Sequence, residues 1–180
     1  MASIKGFQLK NVKQPIGREG YGCIATMYLH GKKIGAYEDY GDGALGDTTY
    51  VSKDAEAEMM KVIIEYAKEH PNKFIIDLYH QRPHQYKEEC ENFKKQYPFI
   101  PDEDITIQTM ASNSIEYIVS ALLDLMDVEK QFKRFQKKGY KAISLEGNQI
   151  IAYPNDWPDA VIKAKASGHE LYMSLDDFDK

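Results

Sequence analysis

Acidic side chains gather with glycines just after the second predicted strand, and they are the first candidates for chemistry. Four carboxylates lie within ten residues, on Glu38, Asp39, Asp42 and Asp47. Carboxylate oxygens are the ligands that hard cations prefer, so the loop can be read as a cation site. The calcium-loop pattern fails, because Thr49 stands where that pattern needs a bidentate glutamate. A solvated strand end explains the loop better. A metal-dependent enzyme such as a nuclease, using these three aspartates or the pair His80 and His84, stays as an alternative.

Two histidines four residues apart, His80 and His84, are the second candidate, because this spacing can bind zinc on one helix. Pro83 between them predicts a break in that helix. Cys90 fits an apolar helix stripe and Cys23 lies within a predicted strand, so both thiols are expected to be unreactive. No nucleophile-elbow, Walker-type or dinucleotide glycine pattern occurs in the sequence. No catalytic residue, metal ligand or cofactor is therefore predicted.

Basic residues with no acidic residue between them gather near the end of a predicted long helix. They are Lys130, Lys133, Arg134, Lys137, Lys138 and Lys141. Cations at a helix C-terminus favour the helix dipole, so a solvated helix end is the ordinary explanation. The functional alternative is a patch that contacts phosphates of a nucleic acid or a ribonucleoprotein. The net charge of −5 argues against binding of nucleic acid by bulk attraction.

Tyrosine is the most frequent aromatic residue, with 13 copies against one tryptophan. Five tyrosines surround the first predicted hairpin, at Tyr21, Tyr28, Tyr37, Tyr40 and Tyr50. Tyrosine suits half-buried positions and interfaces, because its ring packs while its hydroxyl stays in water. Next to an acidic loop, these rings favour protein–protein contact over catalysis.

Alternating apolar and polar residues predict two β-hairpins. In the first, strands at residues 21–29 and 32–40 flank His30-Gly31, a pair that tolerates the positive φ of a tight turn. In the second, two strands flank Glu146-Gly147-Asn148. A further strand is predicted at residues 4–12.

Apolar residues three and four apart predict the helices. Ser52 is the predicted N-cap of a helix that runs to about Glu69. Residues 73–81 fit both a strand and a helix, and a short helix is favoured. Asn113 followed by Glu116 resembles a capping box at the start of the long helix.

Strands, helices, strands and a helix follow in that order, which argues against a doubly wound parallel sheet. Residues 1–180 are predicted to form a single α+β domain, an antiparallel sheet from two β-hairpins packed against a long helix and several shorter helices. The 43% of hydrophobic residues is enough for a core. No apolar run approaches the length of a membrane span, and the N-terminus has no hydrophobic signal core. With only two cysteines, the expected location is the cytoplasm.

The first hairpin resembles a known group of proteins. Its run Ala25-Thr26-Met27-Tyr28-Leu29-His30-Gly31-Lys32-Lys33-Ile34-Gly35, followed by Asp42-Gly43, is similar to the opening of small uncharacterised proteins of bacterial, phage and plasmid genomes. The resemblance covers about the first quarter of the chain and carries over no functional residue. It implies a bacterial mobile-element setting, in which inhibitors of host defence, including anti-CRISPR proteins, act by occupying a surface.

A non-enzymatic binding protein is therefore the leading hypothesis, with a protein or a ribonucleoprotein as its partner and a mobile-element inhibitor of host defence as its sharpest form. Direct binding of nucleic acid through the basic helix end is a further alternative. No membrane partner is expected. The predicted partner-binding residues are Tyr37, Asp39, Tyr40, Asp42, Lys133, Lys137 and Lys138.

Overall fold

A computed structural model describes residues 1–147, 149–154 and 158–180. Its strands are β1 (Phe7–Lys13), β2 (Cys23–Leu29), β3 (Lys32–Asp39), β4 (Asp47–Tyr50), β5 (Tyr140–Glu146), β6 (Gln149–Pro154) and β7 (Glu170–Tyr172). Its helices are α1 (Lys53–Glu69), α2 (Lys73–Gln81), α3 (Pro83–Gln96), α4 (Ile107–Met110), α5 (Ile115–Gln136) and α6 (Pro158–Ala166), with 3₁₀ turns at Asp102–Asp104 and Asp176–Phe178. The described strands form antiparallel sheets, so the predicted α+β class is confirmed.

The first sheet has the strand order β1-β2-β3-β4. Its central hairpin turns at His30 and Gly31, whose φ angles of 48° and 78° are the positive values that a tight hairpin turn requires. Side chains of β2 alternate between buried and half-buried, as the period of a strand with one covered face demands. The β2–β3 register shifts next to Gly35, as a β-bulge does.

The second sheet has the order β6-β5-β7. Its hairpin joins β5 to β6, and Asn148 of the predicted turn lies outside the described residues. The two predicted hairpins thus lie in two sheets rather than in one. Each hairpin pairs with different further strands: β1 and β4 pair with the first hairpin, and β7 pairs with the second.

The chain divides into two compact units. The larger unit is Lys5–Ser120 and holds the first sheet, and the smaller unit is Met1–Ile4 with Ala121–Lys180 and holds the second. Helix α5 contributes residues to both. The single domain predicted for residues 1–180 stays a prediction.

Within the larger unit, α1 contacts β3 and β4 and buries Met59 and Ile63. The predicted N-cap is confirmed, because Ser52 Oγ accepts a hydrogen bond of 3.1 Å from the backbone N–H of Ala55. Residues 73–81 form helix α2, as favoured from the sequence. At the start of α5, Ser114 Oγ accepts from the N–H of Glu116 at 3.3 Å, whereas the side chain of Asn113 donates to Met110. Ser114, rather than the predicted Asn113, therefore accepts a hydrogen bond from a backbone N–H at the start of α5.

Within the smaller unit, aromatic rings form the core. Phe178 stacks on Tyr172 with 4.6 Å between ring centroids and lies 5.5 Å from Phe132. A separate cluster of Ala142, Tyr153 and Ala164 is also buried. No helix in the described part of the chain is long and apolar enough to cross a membrane.

Candidate partner-binding surface

Two glycine-rich loops meet at one end of the β2–β3 hairpin. We call residues 15–22 and 39–46 together the double loop. Within the first loop the N–H of Gly22 donates to the carbonyl of Pro15 at 2.8 Å, and between the loops the N–H of Glu19 donates to the carbonyl of Gly41 at 2.8 Å. The loops are therefore held by backbone hydrogen bonds, which do not depend on which side chains they carry.

Close backbone approach explains two of the glycines in the double loop. A Cβ atom on Gly17 would lie 2.2 Å from the carbonyl oxygen of Tyr40, and one on Gly22 would lie 2.1 Å from that of Asp39. No side chain fits at these separations, so the two loops can touch only through glycine.

The two aspartates of the second loop accept local hydrogen bonds. Asp39 Oδ1 accepts from the N–H of Gly41 at 2.8 Å, and Asp42 Oδ1 accepts from the N–H of Arg18 at 3.1 Å. The guanidinium of Arg18 lies 3.9 Å from the same carboxylate of Asp42. Among the described residues no group of three histidine, cysteine, aspartate or glutamate side chains could hold a metal ion. The acidic loop is thus a folded turn and gathers no cation-binding cage in the part of the chain that is described.

Large apolar side chains project from the double loop into solvent. Ile16 is 77% exposed, Tyr21 76%, Tyr40 53% and Leu45 84%. The hydroxyl of Tyr40 donates to Glu38 at 3.0 Å, and this hydrogen bond is the main cause that raises the pKa of Tyr40. We call these four residues the apolar patch. Exposed apolar groups rimmed by acidic ones are typical of protein–protein interfaces.

Tyr37, predicted to contact a partner, lies in the interior with 2% of its surface exposed. A Cβ atom on Gly46 would lie 2.3 Å from its hydroxyl oxygen, so the ring fits tightly under the end of the double loop. Burial raises the pKa of Tyr37, and the charges of Glu116 and Asp39 add to the effect. Side chains alternate between the two faces of β3, and the sequence does not say which face is buried. It therefore could not show that Tyr37 is buried while Tyr40, just after β3, is exposed.

The three predicted lysines are exposed and lie in the smaller unit. Lys133 pairs with Glu129 through an Nζ–Oε1 distance of 2.7 Å, one helical turn away. Lys138 Nζ lies 5.9 Å from the ring centroid of Phe135. The buried carboxylate of Glu129 therefore neutralises part of the basic run, which the spacing of the basic residues did not indicate. Lys137 forms no ion pair with any described residue.

The remaining chemical candidates lie apart. His80 and His84 are exposed on two different helices, α2 and α3, which meet at Pro83 as predicted. Cys23 is buried, and burial followed by the charge of Asp39 raises the pKa of its thiol to about 11. A thiol with that pKa stays protonated at neutral pH and is a poor nucleophile.

A cleft of about 710 Å³ beside β4 was not anticipated from the sequence. It is lined by the edge strand β4, by the start of α1, by Tyr97 and by residues 113–116. The signal for β4 is only Thr48-Thr49-Tyr50-Val51, four residues of high β propensity between an aspartate and the N-cap of α1. So short a run is too weak to assign a strand.

No family model, no curated protein and no solved structure matches this chain.

Proposed function

We propose that this chain is a non-enzymatic, cytoplasmic protein that binds a protein or ribonucleoprotein partner through the double loop. One observation supports this most directly: four large apolar side chains stand exposed on loops fixed by backbone hydrogen bonds. A fixed loop loses little conformational entropy on binding, so the contact area of the apolar patch is converted efficiently into affinity. Asp39 and Asp42 contribute by holding the turn and by giving the rim a negative charge.

The resemblance of the first hairpin to proteins of bacterial, phage and plasmid genomes supplies the setting. In that setting we propose a mobile-element inhibitor of bacterial defence, anti-CRISPR-like in its mode of action. It would act by covering a surface that the defence complex needs. Such occlusion requires a rigid recognition surface and no bond-making chemistry, which is what the double loop offers.

Interference with defence can be measured directly. The chain is expressed in a bacterial host whose RNA-guided defence blocks a phage, and the efficiency of plating is counted. We expect wild-type protein to raise the efficiency of plating by orders of magnitude. The double variant Tyr21→Ser with Leu45→Ser, which removes two of the four side chains of the apolar patch, is expected to lose this effect.

Ile162→Ser is the matched control, because Ile162 is similarly exposed but lies in α6 of the smaller unit. The proposal fails if the control and the double variant behave alike. It also fails if the purified wild-type chain neither binds nor inhibits the defence complexes that the host encodes.

The basic end of α5 supports a second candidate, direct binding of nucleic acid. Its cations, apart from Lys133, form no ion pair with any described residue, so they are free to meet phosphates. Binding of a fluorescent duplex or single strand should then weaken steeply with salt, with a log–log slope of about −3 for roughly four phosphate contacts. A flat salt response, or no loss of affinity in Lys137→Glu with Lys138→Glu, would exclude this function.

A further inference from the structure

Strand β4 has a free edge. Among the described strands it pairs only with β3. The N–H of Val51 donates to the carbonyl of Ile34 at 2.9 Å, and the same register continues through Thr49 opposite Ala36. Because hydrogen-bonded and non-hydrogen-bonded pairs alternate in an antiparallel ladder, the backbone N–H and C=O groups of Thr48 and Tyr50 point away from β3.

The cleft of about 710 Å³ opens beside this edge. Its other walls are residues of α1 as far as Ile63, Tyr97 and the start of α5. Proteins usually cover or blunt an exposed strand edge, since its unpaired backbone groups are a template for another strand. Here residues of the edge strand line an open cleft.

Residues that line the cleft also carry polar groups without partners among the described residues. Thr48 Oγ1 is buried and has no hydrogen-bond partner among the described atoms. Two carboxylates, Glu56 and Glu116, line the walls, and neither forms an ion pair with any residue that the structure describes. Both act on the phenol of Tyr50, whose pKa is raised first by burial and then by Tyr97 and these carboxylates. Lys53 is the cation on the same walls.

We propose that the β4 cleft binds an extended peptide segment that carries a lysine or arginine, and that this segment pairs with β4 as a fifth strand of the sheet. The backbone groups of Thr48 and Tyr50 would supply the ladder hydrogen bonds, as in other cases of strand addition. The carboxylates of Glu56 and Glu116 favour the basic side chain and disfavour nucleic acid. This site goes beyond the proposed function of the double loop and does not depend on it.

The test uses wild-type protein and matched synthetic peptides. The first is an eight-residue peptide of alternating valine and threonine with one central arginine, and the second has glutamate in place of that arginine. We expect the arginine peptide to bind at least about tenfold more tightly in fluorescence anisotropy. In NMR spectra its addition should shift the amide signals of Thr48 and Tyr50 more than those of β1.

Two further measurements separate strand addition from charge attraction alone. N-methylation of the arginine peptide at alternate residues removes ladder donors and should abolish binding without changing charge. Glu56→Gln with Glu116→Gln should lower the affinity for the arginine peptide by about tenfold. Glu88→Gln with Glu91→Gln, which makes the same charge change on exposed positions of α3, should leave its affinity unchanged.

The proposal is overturned by any of three results: the arginine peptide fails to bind at millimolar concentration, N-methylation leaves its affinity unchanged, or the two charge variants behave alike. Self-pairing of β4 between two copies would also overturn it, and would show as a dimer in sedimentation whose formation is blocked by Thr48→Pro. All of these variants leave the double loop intact, so a failure here is distinguishable from a failure of the proposed function.

Discussion

Replacing Gly35 by alanine tests how firmly β4 is held to the first sheet. An added Cβ atom would lie 2.2 Å from the carbonyl oxygen of Thr49 and 2.9 Å from the terminal methyl of Met27. The methionine can move, but the carbonyl belongs to the backbone of β4. Gly35 does not occupy the left-handed region, so the conflict is steric and comes from this contact alone.

The size of the effect follows from that separation. Relief to 3.0 Å, below which Cβ contacts essentially never occur, requires a shift of about 0.8 Å by β4. Such a shift stretches ladder bonds near 2.9 Å beyond the range of a good hydrogen bond. Loss of the two bonds between Ala36 and Thr49 corresponds to about 1–3 kcal/mol. The same shift would deform the β4 cleft.

The assay combines urea unfolding with amide hydrogen exchange. Gly35→Ala is expected to lower the free energy of unfolding by that amount and to reduce the protection of the Thr49 amide. Gly31→Ala is the control, because its Cβ meets no atom within 4 Å and its φ of +78° leaves only backbone strain, a cost of about 1–2 kcal/mol. It should leave Thr49 protected. Unchanged stability together with unchanged Thr49 protection in Gly35→Ala would refute the reasoning.

Three further predictions concern other parts of the fold. Phe178→Ala removes a fully buried ring stacked on Tyr172 and should cost about 3–5 kcal/mol in urea unfolding, whereas Phe178→Leu should cost much less. Burial alone would raise the pKa of Glu129, but hydrogen bonds that include one from Lys133 outweigh it and lower the pKa. The stability that Glu129 confers over Glu129→Gln should therefore be full above pH 4.5 and disappear as the pH falls through the lowered value. Ser52→Ala should lower stability by about 1 kcal/mol, and Ser52→Asp should retain it.

Local patterns were sufficient for the first hairpin and for α1. The turn at His30-Gly31 is determined by the two residues that must adopt positive φ, and Ser52 satisfies an orphan N–H of its own helix. Both the turn and the helix cap lie within a few residues of the sequence pattern that predicts them. Residues 73–81 became a helix because Asn72 caps them locally, with its Oδ1 accepting from the N–H of Ile75 at 3.2 Å.

Long-range pairing was beyond the same patterns. Two hairpins predict two pairs of strands, but nothing in either hairpin says whether the pairs join in one sheet. The ion pair of Lys133 with Glu129 is a second feature that local patterns did not predict. Its importance comes from the burial of Glu129, and burial depends on the whole fold. The partner-binding role of the acidic loop stays a prediction, and the sequence did not show that Tyr37 is buried, because the spacing along β3 does not tell which face of the strand is covered.

The position of Tyr37 connects the two proposed surfaces of the larger unit. Its hydroxyl fits against Gly46, at the end of the double loop and just before β4 begins. After burial, the charges that raise the pKa of Tyr37 most are those of Glu116, in the β4 cleft, and Asp39, in the double loop. A phenol is protonated at neutral pH, so Tyr37 places no charge between the two groups of carboxylates. Tyr37 thus packs beneath the end of the double loop, which is a reason for tyrosine at this position that requires no exposure.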